Sequence, residues 1–134
     1  MAVGQFVFML HSHLPYYRKA GMWPFGEENL YECMAETYIP LLNAISELYD
    51  EGIKAKLTVG ITPILAEQLA DEHLKHGFVE YLDSRIKSVS KDLDRYPDPE
   101  VPHSQHLKYL AKYYFKGQRE CLLKLGNKIS VFCC

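Results

Sequence analysis

The sequence predicts an α/β fold with parallel strands, on three observations. Phe6-Val7-Phe8-Met9-Leu10 is a short apolar run that stops at His11-Ser12-His13-Leu14-Pro15-Tyr16, as a strand buried on both faces and ended by a turn would. Ala55-Lys56-Leu57-Thr58-Val59-Gly60 gives a second strand signal, β-branched residues between turn residues. Between them lies a long helical periodicity, so the order is strand, helix, strand, a unit that is normally parallel. Two parallel strands cannot cover their own edges. The chain therefore reads as the opening of a larger α/β barrel, and its open edges and unpaired apolar helix faces are expected to favour aggregation.

Taken in order, residues 11 to about 26 form a connection rich in Pro, Gly and aromatics, and connections this long are often functional. A helix starts near Glu27-Glu28, whose charges suit a helix N-terminus. Leu30, Met34, Tyr38, Leu41, Ile45 and Leu48 follow at spacings of four and three, one face of a helix; Tyr31, Tyr38 and Tyr49 are assigned to its core side. Pro40 lacks an amide hydrogen, so the helix is expected to kink or split near Ile39, and Gly52 closes it. After the second strand, Thr62-Pro63 reads as an N-cap followed by Pro at the first helical position. That helix is expected to run to about residue 75 and stop at His76-Gly77. The next carries Phe78, Leu82, Ile86, Val89 and Leu93 on one face. Tyr96 to Pro102 is a breaker with three prolines, and Ser104 is the expected cap of a last helix bearing Leu107, Leu110, Tyr114 and Cys121. Tyr109, Tyr113, Tyr114 and Phe115 are helix-face packing. A third strand could lie within Gly126 to Cys134.

Composition narrows the function. The 134 residues are 48% apolar with ten Tyr, six Phe and one Trp, which marks a globular chain. Formal charge is −2 with scattered Lys and Arg, so there is no basic footprint for nucleic acid. No stretch approaches the ~18 apolar residues of a membrane span, and the N-terminus lacks the basic segment of a signal peptide. Cys33, Cys121, Cys133 and Cys134 show no metal-type spacing and read as reduced thiols in a cytoplasmic protein.

The chemistry-bearing feature is the pair His11 and His13, placed just past the carboxyl end of the first strand, where α/β sheets meet their ligands. Two residues apart on extended backbone, the imidazoles point the same way. A neutral imidazole offers one donor and one acceptor to sugar hydroxyls. The same His-x-His could hold a metal in a metal-dependent barrel hydrolase, which would need further ligands. His73, His76, His103 and His106 fall in or at the ends of helices and are assigned to solvated surface. Trp23, with Phe25, Tyr16 and Tyr17, could plug a barrel mouth or stack on sugar rings. Arg18-Lys19 reads as a solvated pair, since no Gly-rich cradle accompanies it.

His11-Ser12-His13-Leu14-Pro15-Tyr16, Gly21 to Glu28, Glu36-Thr37-Tyr38-Ile39-Pro40-Leu41-Leu42 and Leu57 to Pro63 together resemble the N-terminal part of glycoside hydrolase family 57, and within it the 1,4-α-glucan branching enzymes. The resemblance runs from about Phe6 to Tyr114. It implies a (β/α)7 barrel, an incomplete TIM-like barrel in this chain, acting on α-glucan with retention. In the branching subgroup an α-1,4 link is cleaved and the freed segment moves to a 6-hydroxyl. By position, the resemblance makes His11, His13 and Trp23 substrate-binding, with no cofactor and no metal. The family's nucleophile Glu and acid/base Asp belong to later strands, so no residue here is assigned as catalytic. Residues 1–114 are then the first part of the catalytic barrel and 115–134 a divergent tail, as a truncated or frameshifted gene would give. The expected product is a fragment inactive alone, with the metal hydrolase and a non-catalytic glucan- or partner-binding fragment as alternatives.

Overall fold

A computed structural model of the chain describes residues 3–54, 56–98, 100–113 and 118–119. The elements are β1 (Phe8–Ser12), α1 (Glu27–Cys33), a π-helical segment (Met34–Tyr38), α2 (Ile39–Asp50), β2 (Leu57–Ile61), α3 (Pro63–Ala70), α4 (Glu72–Arg95) and α5 (Pro102–Lys112). β1 and β2 pair in parallel, with Phe8 opposite Leu57 and His11 opposite Gly60. Both strands lie one or two residues later than the apolar runs suggested, so His11 sits inside β1. The expected third strand, Tyr114, Phe115, Cys121, Cys133, Cys134 and nearly all of 115–134 lie outside the described residues.

Pleating separates two faces. Ser12, Val59 and Ile61 face the helices, where with Tyr38, Leu42 and Leu65 they line an apolar recess of about 50 Å³. The expectation of a strand buried on both faces is therefore corrected: among the described residues the other face is open, with Val7 and Met9 exposed on it, and Phe8 on the helix side is half exposed as well.

Pro40 splits the first helix at Ile39 as anticipated, through a π-turn. The Ile39 N–H donates to Met34 O, five residues back. In that pattern Ala35 O would next receive the amide of residue 40, which proline lacks. The Tyr113 hydroxyl, at 2.9 Å, and Gln118 Nε2 donate to Ala35 O instead, so the group left over by Pro40 ties the described residues that follow Lys112 to the π-turn. Gly52 closes α2 with φ +75°. Tyr49 is exposed, contrary to its assignment to the core side.

The helix after β2 does not run to His76-Gly77. It stops at Ala70, and Asp71 takes extended backbone and accepts the Leu74 N–H at 3.1 Å, capping α4. A carboxylate at an N-cap satisfies a helix-end donor, and this outweighs continuation. Thr62 has the N-cap backbone expected, but its Oγ1 is buried and finds no hydrogen-bond partner among the described residues. Ser104 is no cap either: it is buried and donates to Tyr96 O, locking the breaker onto α5.

Gly77 lies inside α4 because α1 needs the space. A Cβ there would meet Tyr31 Oη at 2.1 Å. The core centres on Tyr31, Phe78 and Tyr81, whose ring centroids lie 5.7–6.3 Å apart, with Leu30, Leu65, Leu74 and Leu82 around them. Arg85 stacks over Tyr81 at 4.8 Å and pairs with Glu28, fastening α4 to α1. Gly77→Ala gains about 1 kcal/mol of helix propensity but overpacks a full core, which costs about 1–3 kcal/mol. We expect a lower urea midpoint for Gly77→Ala, partly restored by adding Tyr31→Phe; a more stable Gly77→Ala would contradict this packing.

Candidate functional site

The open face of the sheet carries Met9, His11 and His13 from β1 and its extension, with Thr58 and Gly60 beside them on β2. His11 and His13 are both exposed. His13 follows two residues on, past the last paired residue Ser12. The structure adds the neighbour: a Cβ on Gly60 would lie 3.4 Å from His11 Nδ1, so the imidazole sits against the Gly60 backbone of β2. Among the described residues no group of three or more His, Cys, Asp or Glu is placed to hold a metal ion, and His73, His76, His103 and His106 all lie on α4 and α5.

The connection 13–26 begins at the same strand end and is pinned from below. Gln68, buried on α3, accepts the Tyr17 N–H at 2.7 Å and donates to Pro15 O at 3.0 Å. Arg18 Nε pairs with Asp71 at 2.7 Å, so Arg18 is not the solvated residue expected. The Glu27 and Glu28 amides donate back to Gly21 O and Met22 O. A Cβ on Gly26 would lie 2.0 Å from Gly21 O, so only glycine permits this closure. On this base the side chains face outward: Trp23 is 78% and Phe25 83% exposed, with Tyr16 and Met22 about half exposed.

Glu27 is not a simple helix-start charge. It is 7% exposed, and its carboxylate accepts the Lys19 N–H at 2.7 Å, the Tyr31 hydroxyl at 3.1 Å and His73 Nε2 at 3.0 Å. Burial pushes its pKa up, but the Lys19 amide, His73 and Tyr31 outweigh that and hold the carboxyl below its ordinary value. Asp71 is also held low, desolvation being outweighed by the Leu74 N–H and Arg18. Burial next to Glu27 drives the Tyr31 phenol well above its usual range. Residue-by-residue reading missed Glu27, His73, Gln68 and the Arg18–Asp71 pair; the available signals were the four-residue spacing of Glu27 and Tyr31 and the cap-like Asp71-Glu72-His73-Leu74.

With this arrangement in view, the comparisons with known proteins fix the family. The sequence pattern of glycosyl hydrolase family 57 matches residues 7–125, and the chain belongs to that family. The 1,4-alpha-glucan branching enzyme of Thermococcus kodakarensis is 45% identical over 111 residues, which are 83% of this chain and 16% of that protein. Its crystal structure, in complex with glucose and additives, matches with a TM-score of 0.81 at 38% identity, over 92% of this chain and 22% of that one. The branching enzyme of Pyrococcus horikoshii gives a TM-score of 0.83 at 39% identity, covering 92% of this chain and 23% of that one. The alpha-amylase AmyC from Thermotoga maritima gives 0.70 at 28%, covering 90% and 22%. The chain thus spans less than a quarter of the length of these relatives. Among the described residues no helix is long and apolar enough to cross a membrane.

Both depressed carboxyls have a folded-state pKa below the unfolded one. The stability they contribute is therefore complete above their ordinary values of 4.5 and 3.8 and is lost as pH falls through and below them. We expect a level urea midpoint from about pH 7 to pH 5.5 and a fall below about pH 4.5 that is shallower in Glu27→Gln. An equally steep acid fall in Glu27→Gln would show that Glu27 is not held low by these donors.

Proposed function

We propose that residues 1–114 supply the first strand and helix units of the (β/α)7 catalytic barrel of a retaining α-glucan transglycosylase of the 1,4-α-glucan branching kind. The family pattern continues past that boundary to residue 125. The observation that carries this proposal is the one-sided sheet: helices occupy the Ser12, Val59 and Ile61 face, while His11 and His13 stand on the other beside a glycine. A barrel has this division, helices outside and ligand-facing side chains at the inner carboxyl ends. The exposed Val7 and Met9 are then covered by strands that complete the barrel.

In this reading His11 and His13 hydrogen-bond hydroxyls of the glucose ring beside the scissile bond, and Trp23 lines the cleft by stacking on a sugar face. The glucan class is supported by the branching-enzyme relatives and by the glucose in the Thermococcus crystal. Branching is preferred over amylase hydrolysis because identity is higher to the branching enzymes than to the Thermotoga amylase. The setting is storage-glucan metabolism in the cytoplasm, with no cofactor.

The isolated chain does not perform the transfer. Retention requires two carboxyl groups about 5–5.5 Å apart across the bond. Glu27, Glu28 and Asp71, acids at the histidine-bearing connection, are committed to Lys19, Tyr31, His73, Arg85, Arg18 and the Leu74 N–H. The nucleophile Glu and acid/base Asp come from later strands. Incubation of the 134-residue chain with amylose is expected to give no rise in α-1,6 linkages, and clear turnover would contradict the assignment. Titration with maltoheptaose is expected to show weak binding, reduced about tenfold in His11→Ala and in Trp23→Ala, or about 1.4 kcal/mol. Equal binding by both variants would remove these residues from the site.

A further inference from the structure

We propose that Glu27 and His73 are positioning residues for the glucan-binding loop: the buried carboxylate, steadied by the imidazole of α4, fixes the backbone that presents the Trp23 and Phe25 rings. The inference rests on the glucan role given to Trp23 above and adds the group that sets where that ring stands.

The need for such a device follows from the exposure of the rings. Trp23 and Phe25 are 78% and 83% exposed, so packing contributes little to their placement and the backbone beneath must provide it. That backbone is unusual. Lys19 and Phe25 both have φ of +61° and Gly21 has φ of +84°, and non-glycine residues rarely adopt that conformation unless their surroundings hold them there. For Lys19 the holding contact is visible: its N–H donates to Glu27 Oε1 at 2.7 Å. His73 Nε2 reaches the same oxygen at 3.0 Å, while the Tyr31 hydroxyl takes Oε2 at 3.1 Å. One carboxylate at the start of α1 therefore joins the loop that precedes it to α4, 46 residues further along the sequence.

A purely structural junction does not require this chemistry. Burying a charged group is costly, and apolar residues of similar volume often stabilise a core as well or better. What charge-assisted hydrogen bonds add is directional registration. His73 is the informative partner, because its side chain is 51% exposed and lies outside the buried core. Removing it leaves that oxygen held by the Lys19 N–H alone, while Tyr31, Phe78 and Tyr81 stay packed. A substrate platform that loosens on its base loses affinity, because the loop must be ordered again on binding.

Trp23 is the single tryptophan of the 134 residues, so its fluorescence reports this loop alone. The chain and its Glu27→Gln, His73→Ala, His73→Gln and Lys75→Ala variants are compared by time-resolved anisotropy and acrylamide quenching without ligand, then by maltoheptaose titration. Lys75, which pairs with Glu72 on the surface of α4, provides the control. Glu27→Gln and His73→Ala are expected to increase fast Trp23 motion and weaken maltoheptaose binding about 3- to 10-fold, with circular dichroism unchanged. His73→Gln, whose amide can still donate, restores much of both, and Lys75→Ala changes neither. Unchanged Trp23 motion in folded His73→Ala and Glu27→Gln overturns the proposal; if Glu27→Gln does not fold, His73→Ala and its rescue by His73→Gln decide. Should the unmodified chain ignore maltoheptaose while Trp23 motion still responds to the variants, the positioning role stands and the glucan reading falls.

Discussion

Everything in this chain depends on the alternation of side chains along two paired strands. With Phe8 opposite Leu57, the residues that face α2 and α3 are fixed for both strands at once, and so are those that face away. A slip of one residue would send His11 into the apolar recess beside Tyr38 and put Ser12 where the imidazole stands. Burial of Ile61 and Leu65 against the helices resists that slip, so the apolar side of the sheet specifies the polar side. Gly60 stands opposite His11 on the polar side.

The helices do more than cover a face. The starts of α1 and α4, the end of α3 and the connection after β1 are joined by polar groups that satisfy one another: Asp71 caps α4 and holds Arg18, Gln68 holds the backbone at Pro15 and Tyr17, and Glu27 holds Lys19. Each is a buried or half-buried group with its partners supplied, as interior polar groups require. The π-turn before Pro40 follows the same rule, its leftover carbonyl taken by Tyr113 and Gln118. The loop that displays aromatic rings is thus built on a hydrogen-bonded base, while the rings themselves remain free of packing.

The sequence carried the local signals well and the long-range polar ones poorly. Apolar runs and periodicity gave both strands, their parallel pairing, the long helix and its interruption at Pro40, and the alternation placed His11 and His13 on one face. His76-Gly77 misled because Gly is read as a helix end, whereas here it is demanded by Tyr31, a residue 46 positions earlier. Asp71 lost to that false stop, although its own cap signature was present. Glu27 looked like a helix-start charge because charge at a first turn is common; only the fold brings Lys19, Tyr31 and His73 to it. Tyr49 fits the periodicity yet remains exposed.

The histidine face of the sheet is open in this chain, and the function proposed above makes it a sugar-binding face. Histidine carbethoxylation by diethyl pyrocarbonate, read residue by residue by mass spectrometry, tests it directly, with the exposed His106 of α5 as internal reference. The account predicts that His11 and His13 react at rates comparable to His106 and that saturating maltoheptaose slows these two alone. Histidines at 11 and 13 that are protected in the free chain, or that react unchanged in the presence of the oligosaccharide, would contradict it.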